Sequence, residues 1–142
     1  MKRAVGIDFG KARIGLALSD PGQMIATPFN VLFVDKSDAP KTTAQKLMKL
    51  LEPYQNEIEI LVIGHPLELS GKPGPMAKAA EAFAEVLEKE SSHKIALWDE
   101  RLTTAQVDRG FKEAGFSRKK RASLADAASA CITLQSFLDQ PK

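Results

Sequence analysis

From Lys2 to Val34 the chain carries three strand-patterned runs separated by turns too short to hold a crossover helix, so neighbouring runs can pair only antiparallel. Lys2 to Phe9 and Arg13 to Ser19 flank Gly10-Lys11-Ala12, which has the length and glycine content of a hairpin turn. Asp20-Pro21-Gly22 forms a second turn, and Ile25 to Val34, with Phe29, Val31 and Phe33, reads as the third strand. One residue breaks the apolar pattern of the first strand, Asp8. An ionised carboxylate buried there loses its hydration and needs a counter-charge, a hydrogen-bond donor or a metal ion.

Beyond Val34 the period changes. Ala44, Leu47, Met48, Leu50 and Leu51 recur at helical spacing after Ser37, Asp38 and Pro40, and Pro53 closes the segment. Ile58 to Ile63 is a short apolar run with the character of a strand covered on both faces. A glycine- and proline-rich loop from Gly64 to Pro75 follows, with Pro75 placed for the first turn of the next helix. That helix is expected to bury Met76, Ala79, Ala80, Phe83, Val86 and Leu87 and to turn Lys78, Glu81, Glu85 and Lys89 outward. Ile95 to Trp98 is a further strand. Thr103 or Thr104 can cap a helix running to about Glu113, and Ser123 can cap a last helix that buries Leu124, Ala127, Ala128, Cys131, Leu134 and Leu138. Strands first, then alternating helix and strand, predict an α/β fold in one domain over residues 1–142. Its sheet is mixed, with three antiparallel strands, parallel additions and flanking helices.

Composition excludes some functions. No apolar run approaches the ~20 residues of a membrane span, and the basic N-terminus leads into a strand instead of a signal-peptide core, so a cytoplasmic protein is expected. Cys131 is the single cysteine, which rules out an internal disulfide or cysteine metal cluster, and its Ala-rich surroundings predict a buried, inert thiol. Net charge is only +2, but Arg109, Lys112, Arg118, Lys119, Lys120 and Arg121 crowd one segment. Such a segment suits a phosphate backbone or, equally, a solvated loop.

Three carboxylates stand where an α/β sheet gathers function: Asp8, Glu100 just past a strand end, and Asp126 in the first turn of the last helix. Brought together they repel unless a divalent cation neutralises them, and Mg²⁺ or Mn²⁺ suits an all-oxygen site that activates water against a phosphodiester. Each has another reading. Asp8 can accept hairpin backbone donors, or belong to a hairpin that cradles nucleotide phosphates. Glu100 can pair with Arg101, and Ser123-x-x-Asp126 has the form of a capping box. The small residues Ala127-Ala128-Ser129-Ala130 would let the helix approach the sheet closely enough to bring Asp126 toward Asp8. His65 reads as structural or exposed, His93 as surface, and Trp98 as packing.

Four ordered blocks resemble the YqgF/RuvX family of the RNase H-like superfamily. They are Gly6-Ile7-Asp8-Phe9-Gly10 with Arg13-Ile14-Gly15-Leu16-Ala17, Gly64-His65-Pro66-Leu67 with Gly71, Trp98-Asp99-Glu100-Arg101-Leu102-Thr103-Thr104, and Asp126-Ala127-Ala128-Ser129-Ala130. His65 stands where leucine is commoner. The resemblance implies an RNase H-like, five-stranded mixed sheet, with Asp8, Glu100 and Asp126 as catalytic acids and ligands of Mg²⁺ or Mn²⁺. It implies a nuclease maturing the 5′ end of precursor 16S ribosomal RNA in ribosome biogenesis, or a Holliday-junction resolvase acting on branched DNA; the protein is expected as a monomer or a homodimer, the dimer going with symmetric junction resolution. Lys11, Arg13, Arg101 and the Arg109 to Arg121 cations are then expected on nucleic acid, with ribosomal particles as possible partners. A sugar-kinase-like nucleotide module and a non-catalytic RNA-binding protein are the alternatives of other classes.

Overall fold

The computed structural model describes residues 2–67, 70–100 and 125–141. Strands β1 (Arg3–Phe9), β2 (Arg13–Ser19) and β3 (Ala26–Phe33) form the expected antiparallel meander, and β4 (Ile58–His65) and β5 (Lys94–Asp99) add to it in parallel. The order across the sheet is β3-β2-β1-β4-β5, so the chain leaves β3 at one edge and returns beside β1. The tight β1–β2 turn fixes the register that places Asp8 opposite Gly15. Gly10 is needed there for room: a Cβ on it would stand 2.6 Å from the Arg13 carbonyl oxygen. The second turn is tied by the Asp20 carboxylate, which accepts backbone N–H bonds from Gly22, Met24 and Ile25 and is thereby held below the usual carboxylate range.

Alternation along the strands divides the core. On one face Val5, Ile7, Ile14, Leu16, Leu61 and Ile63 pack under α1 (Pro40–Leu50) and α2 (Pro75–Glu90), with Phe9 stacked on Phe83 at 4.5 Å. Both helices start with proline at the position where its missing N–H costs nothing. On the other face Ala4, Ala17, Ala26 and Val62 pack under α3 (Ala125–Leu138) through Ala130, Cys131 and Leu134. Those sheet residues are small, and at Gly6 a Cβ would lie 2.6 Å from the Ala130 carbonyl oxygen and 2.7 Å from Leu134 Cβ. The close approach expected of the Ala-rich helix is therefore present, with backbone against backbone.

The buried stripe of α2 differs from the expected one. Ala77, Ala80, Phe83, Ala84 and Leu87 are buried, whereas Met76, Ala79 and Val86 lie at the stripe's margins. Alanine brings the helix nearer the sheet than methionine or valine would, so Ala77 and Ala84 take the central line. Cys131 is buried as expected, and burial pushes its thiol up to about 11. Trp98 packs edge-on against Phe137 at 5.5 Å, and its indole N–H donates to Ser136 Oγ at 2.9 Å. The proposed caps Thr103, Thr104 and Ser123, the helix to Glu113 and the packing of Leu124 lie outside the described residues.

Candidate functional site

Because β1, β4 and β5 run parallel, their C-terminal ends open on the same edge of the sheet. Asp8 lies near the end of β1 and Glu100 directly follows β5, with β4 between them. Two strand spacings of about 4.8 Å would hold their backbones apart. Gly64 of β4 removes the obstacle, because the Glu100 side chain lies over its bare Cα: a Cβ there would fall 1.9 Å from Glu100 Oε1 and 2.7 Å from Cδ. The carboxyl crosses the intervening strand and forms a side-chain hydrogen bond with Asp8. Thr133 of α3 donates to Glu100 Oε1 at 3.2 Å and fixes it from the helix side.

Burial dominates the electrostatics of this pair. Glu100 is pushed up to about 7, first by loss of hydration and then by the Asp8 charge beside it, while the Thr133 hydroxyl works in the opposite direction. Asp8 is also raised by burial, opposed by its hydrogen bond from Glu100. The pair thus shares a proton near neutrality, with protonated Glu100 donating to Asp8. Two carboxyls that hold a proton at this pH are short of positive charge, and their oxygens suit a hard divalent cation that would replace the proton.

The third expected acid, Asp126, has its backbone in the first described turn of α3. Ala130 lies on Gly6 and Gln135 reaches Ala26 N, so α3 points its N-terminal end toward the Asp8 end of β1. The Asp126 side chain lies outside the described residues. Among the described residues, no group of three or more His, Cys, Asp or Glu side chains is gathered to hold a metal ion. Lys11 and Arg13 are exposed at the β1–β2 turn, beyond Asp8. Arg101, Arg109, Lys112, Arg118, Lys119, Lys120 and Arg121 lie outside the described residues.

His65 is structural. It follows Gly64, so its side chain turns to the opposite face, where Nε2 meets Glu81 Oε1 at 3.2 Å. Glu81, expected to face away, instead ties α2 to the end of β4. Sequence reasoning missed Gly64 and Thr133 as parts of the site. The glycine is visible in the Gly-His-Pro-Leu block but not the side chain it accommodates, and nothing local marks Thr133, a buried helix residue.

Residues 2–140 match a family model described as "RuvX: Holliday junction resolvase". A relative from Protochlamydia amoebophila called "Putative pre-16S rRNA nuclease" is 44% identical over 141 residues, covering 96% of this chain and 93% of that protein. A protein of the same name from Desulfitobacterium hafniense is 39% identical over 137 residues, covering 96% and 92%. Among solved structures, Thermus thermophilus RuvC in complex with a Holliday junction substrate superposes with a TM-score of 0.61 at 14% identity, over 98% of this chain and 97% of that one. The fowlpox virus Holliday junction resolvase gives 0.56 at 11%, over 96% and 98%. These two likenesses show the fold, the RNase H-like sheet of the resolvases. With nearly its whole length matched, the chain belongs to the RuvX family.

Proposed function

We propose that this chain is a metal-dependent nuclease that hydrolyses phosphodiester bonds of structured nucleic acid, with the 5′ end of precursor 16S ribosomal RNA as its substrate. The observation that carries this reading is the Asp8–Glu100 pair, two half-buried carboxyls joined over Gly64 at the open end of the parallel strands. Asp8, Glu100 and, from the N-terminal turn of α3, Asp126 would hold Mg²⁺ or Mn²⁺. When bound, the cation supplies Lewis acidity toward the phosphate and the attacking water. The protein's own part is positional. β1 and β5 hold the two carboxyls on rigid strand ends, Thr133 orients Glu100, and release of the shared proton frees both as oxygen donors. Lys11, Arg13, Arg101 and the Arg109 to Arg121 cations would grip the phosphate backbone. The names of the relatives support precursor 16S ribosomal RNA as substrate, and a protein acting on it would work in the cytoplasm and meet ribosomal particles.

The family model's description favours a second substrate, a four-way DNA junction, which a homodimer would resolve symmetrically. One assay tests both. Parent protein and Asp8→Asn are incubated with precursor 16S RNA and with a DNA junction, each under Mg²⁺, Mn²⁺ and chelator. Metal-dependent RNA cleavage abolished in Asp8→Asn, at unchanged folding, is expected. Cleavage of the junction alone transfers the activity to DNA, and an Asp8→Asn protein as active as the parent overturns the site assignment.

A further inference from the structure

Phe33 closes β3 and is 69% exposed, the most open large apolar residue among the described residues. The other phenylalanine of that strand, Phe29, is packed edge-on against Tyr54 at 5.7 Å. The sheet register places Phe33 with respect to the candidate site. Asp8 is opposite Gly15, Gly15 is opposite Val31, and Phe33 lies two residues beyond Val31, directly opposite Arg13. Residues opposite one another, or two apart, share a face. Phe33 and Arg13 therefore stand on the same face as Asp8, the face on which α3 lies over Gly6. A backbone bond from Val34 N–H to the Ala12 carbonyl at 2.8 Å locks the end of β3 to the turn bearing Lys11. Strand spacing and rise put the Phe33 backbone about 12 Å from that of Asp8.

We infer that Phe33 is a base-stacking platform for an unpaired nucleotide of the substrate strand, lying within about four nucleotides of the phosphate held at Asp8. The inference rests on the nuclease reading and adds the kind of strand that enters. Arg13 stands opposite Phe33 in the register and Lys11 lies in the adjoining turn, two exposed cationic residues that suit a phosphate backbone, while the ring offers a surface that any base with a free π-face can cover. A base inside a continuous duplex has both faces occupied. The platform thus selects substrates whose cleavage point is flanked by single strand, whether ribose or deoxyribose.

The test uses stem oligonucleotides with a single-stranded tail carrying 2-aminopurine at successive positions, bound to full-length Asp8→Asn protein so that nothing is cut. Fluorescence quenching at one tail position is expected. Phe33→Ala should abolish that quenching and weaken tailed-stem binding about 5- to 100-fold, with the unfolding midpoint and binding to a blunt duplex unchanged. Phe33→Tyr or Phe33→Trp should restore both signals, and Phe33→Leu, which keeps apolar area without a π-face, should not. Quenching and affinity unchanged in Phe33→Ala, or rescued by Phe33→Leu, overturn the platform. If Asp8→Asn still abolishes cleavage in an otherwise parental protein, the nuclease reading survives that result. A parent that neither binds nor cuts any nucleic acid removes both.

Discussion

Replacing Gly64 with alanine separates the geometry of the site from the stability of the fold. The new Cβ would fall 1.9 Å from Glu100 Oε1, 2.7 Å from Cδ and 3.1 Å from Cγ, all atoms of one flexible side chain. The strand can stay and the carboxyl must yield, withdrawing by about 1 Å or more to restore ordinary contact. Alanine in a strand restricts the unfolded chain more than glycine does, a gain of about 0.5–1 kcal/mol that offsets the disturbed contacts. Stability should therefore remain within about 1 kcal/mol of the parent. Activity should not. Displacing the carboxyl breaks the 3.2 Å bond from Thr133 and separates Glu100 from Asp8. A misplacement of about 1 Å in a catalytic group costs on the order of 100-fold in rate. Urea denaturation and initial cleavage rates under saturating Mg²⁺ or Mn²⁺ read the two quantities separately. A Gly64→Ala protein that folds normally and cuts at the parental rate would refute the assignment of Glu100. One that fails to fold would refute the claim that only a side chain occupies the space over Gly64.

Gly6→Ala is the contrasting change, because its Cβ meets the Ala130 carbonyl at 2.6 Å and Leu134 Cβ at 2.7 Å, and α3 itself must move. A loss of about 1–3 kcal/mol in urea denaturation is expected, and a variant as stable as the parent would show that the helix–sheet contact is looser. Stability of the metal-free protein should also depend on pH through Glu100. Both folded and unfolded forms are protonated at low pH, but as pH rises from about 4.5 to about 7 only the unfolded carboxyl ionises freely, so stability falls across this window. The full shift corresponds to about 3 kcal/mol, reduced by the partial exposure of the carboxyl to about 1 kcal/mol. Denaturation in chelator at pH 5 and pH 8 measures it, Glu100→Gln should flatten the dependence, and a Glu100→Gln protein retaining the full slope would place its origin elsewhere.

The meander was legible because its information is local: alternating apolar residues define strands, and short turns dictate antiparallel neighbours. The parallel additions followed from helices interposed before Ile58 and Ile95. Asp8 and Glu100 were legible as candidates for a different reason, since an acid within or at the end of an apolar strand has few places to go. Their meeting was expected from the family resemblance, but the way they meet was not legible. It depends on Gly64, far from both in sequence, and on a buried threonine in the last helix, and no periodicity announces either. The α2 stripe drifted for a similar reason, since hydropathy ranks methionine and valine above alanine, whereas a closely packed sheet favours the smaller side chain.

Missing side chains accordingly shape this site as much as the acids do. At Gly6, Gly10 and Gly64 a Cβ would come within 2.6 Å of an oxygen, at the α3 backbone, the Arg13 carbonyl and the Glu100 carboxyl respectively. The first contact sets the height of α3 above β1, the second the tightness of the turn carrying Lys11, and the third the reach of Glu100 across β4. All three lie on or beside the strands that meet at Asp8. Rigid strands alone would leave the acids two spacings apart, and longer side chains would span that distance at the cost of rotamer freedom. Removing the Cβ from the intervening strand brings the carboxyls together without that loss, leaving a proton-sharing pair in a half-buried setting whose proton a divalent cation is suited to replace.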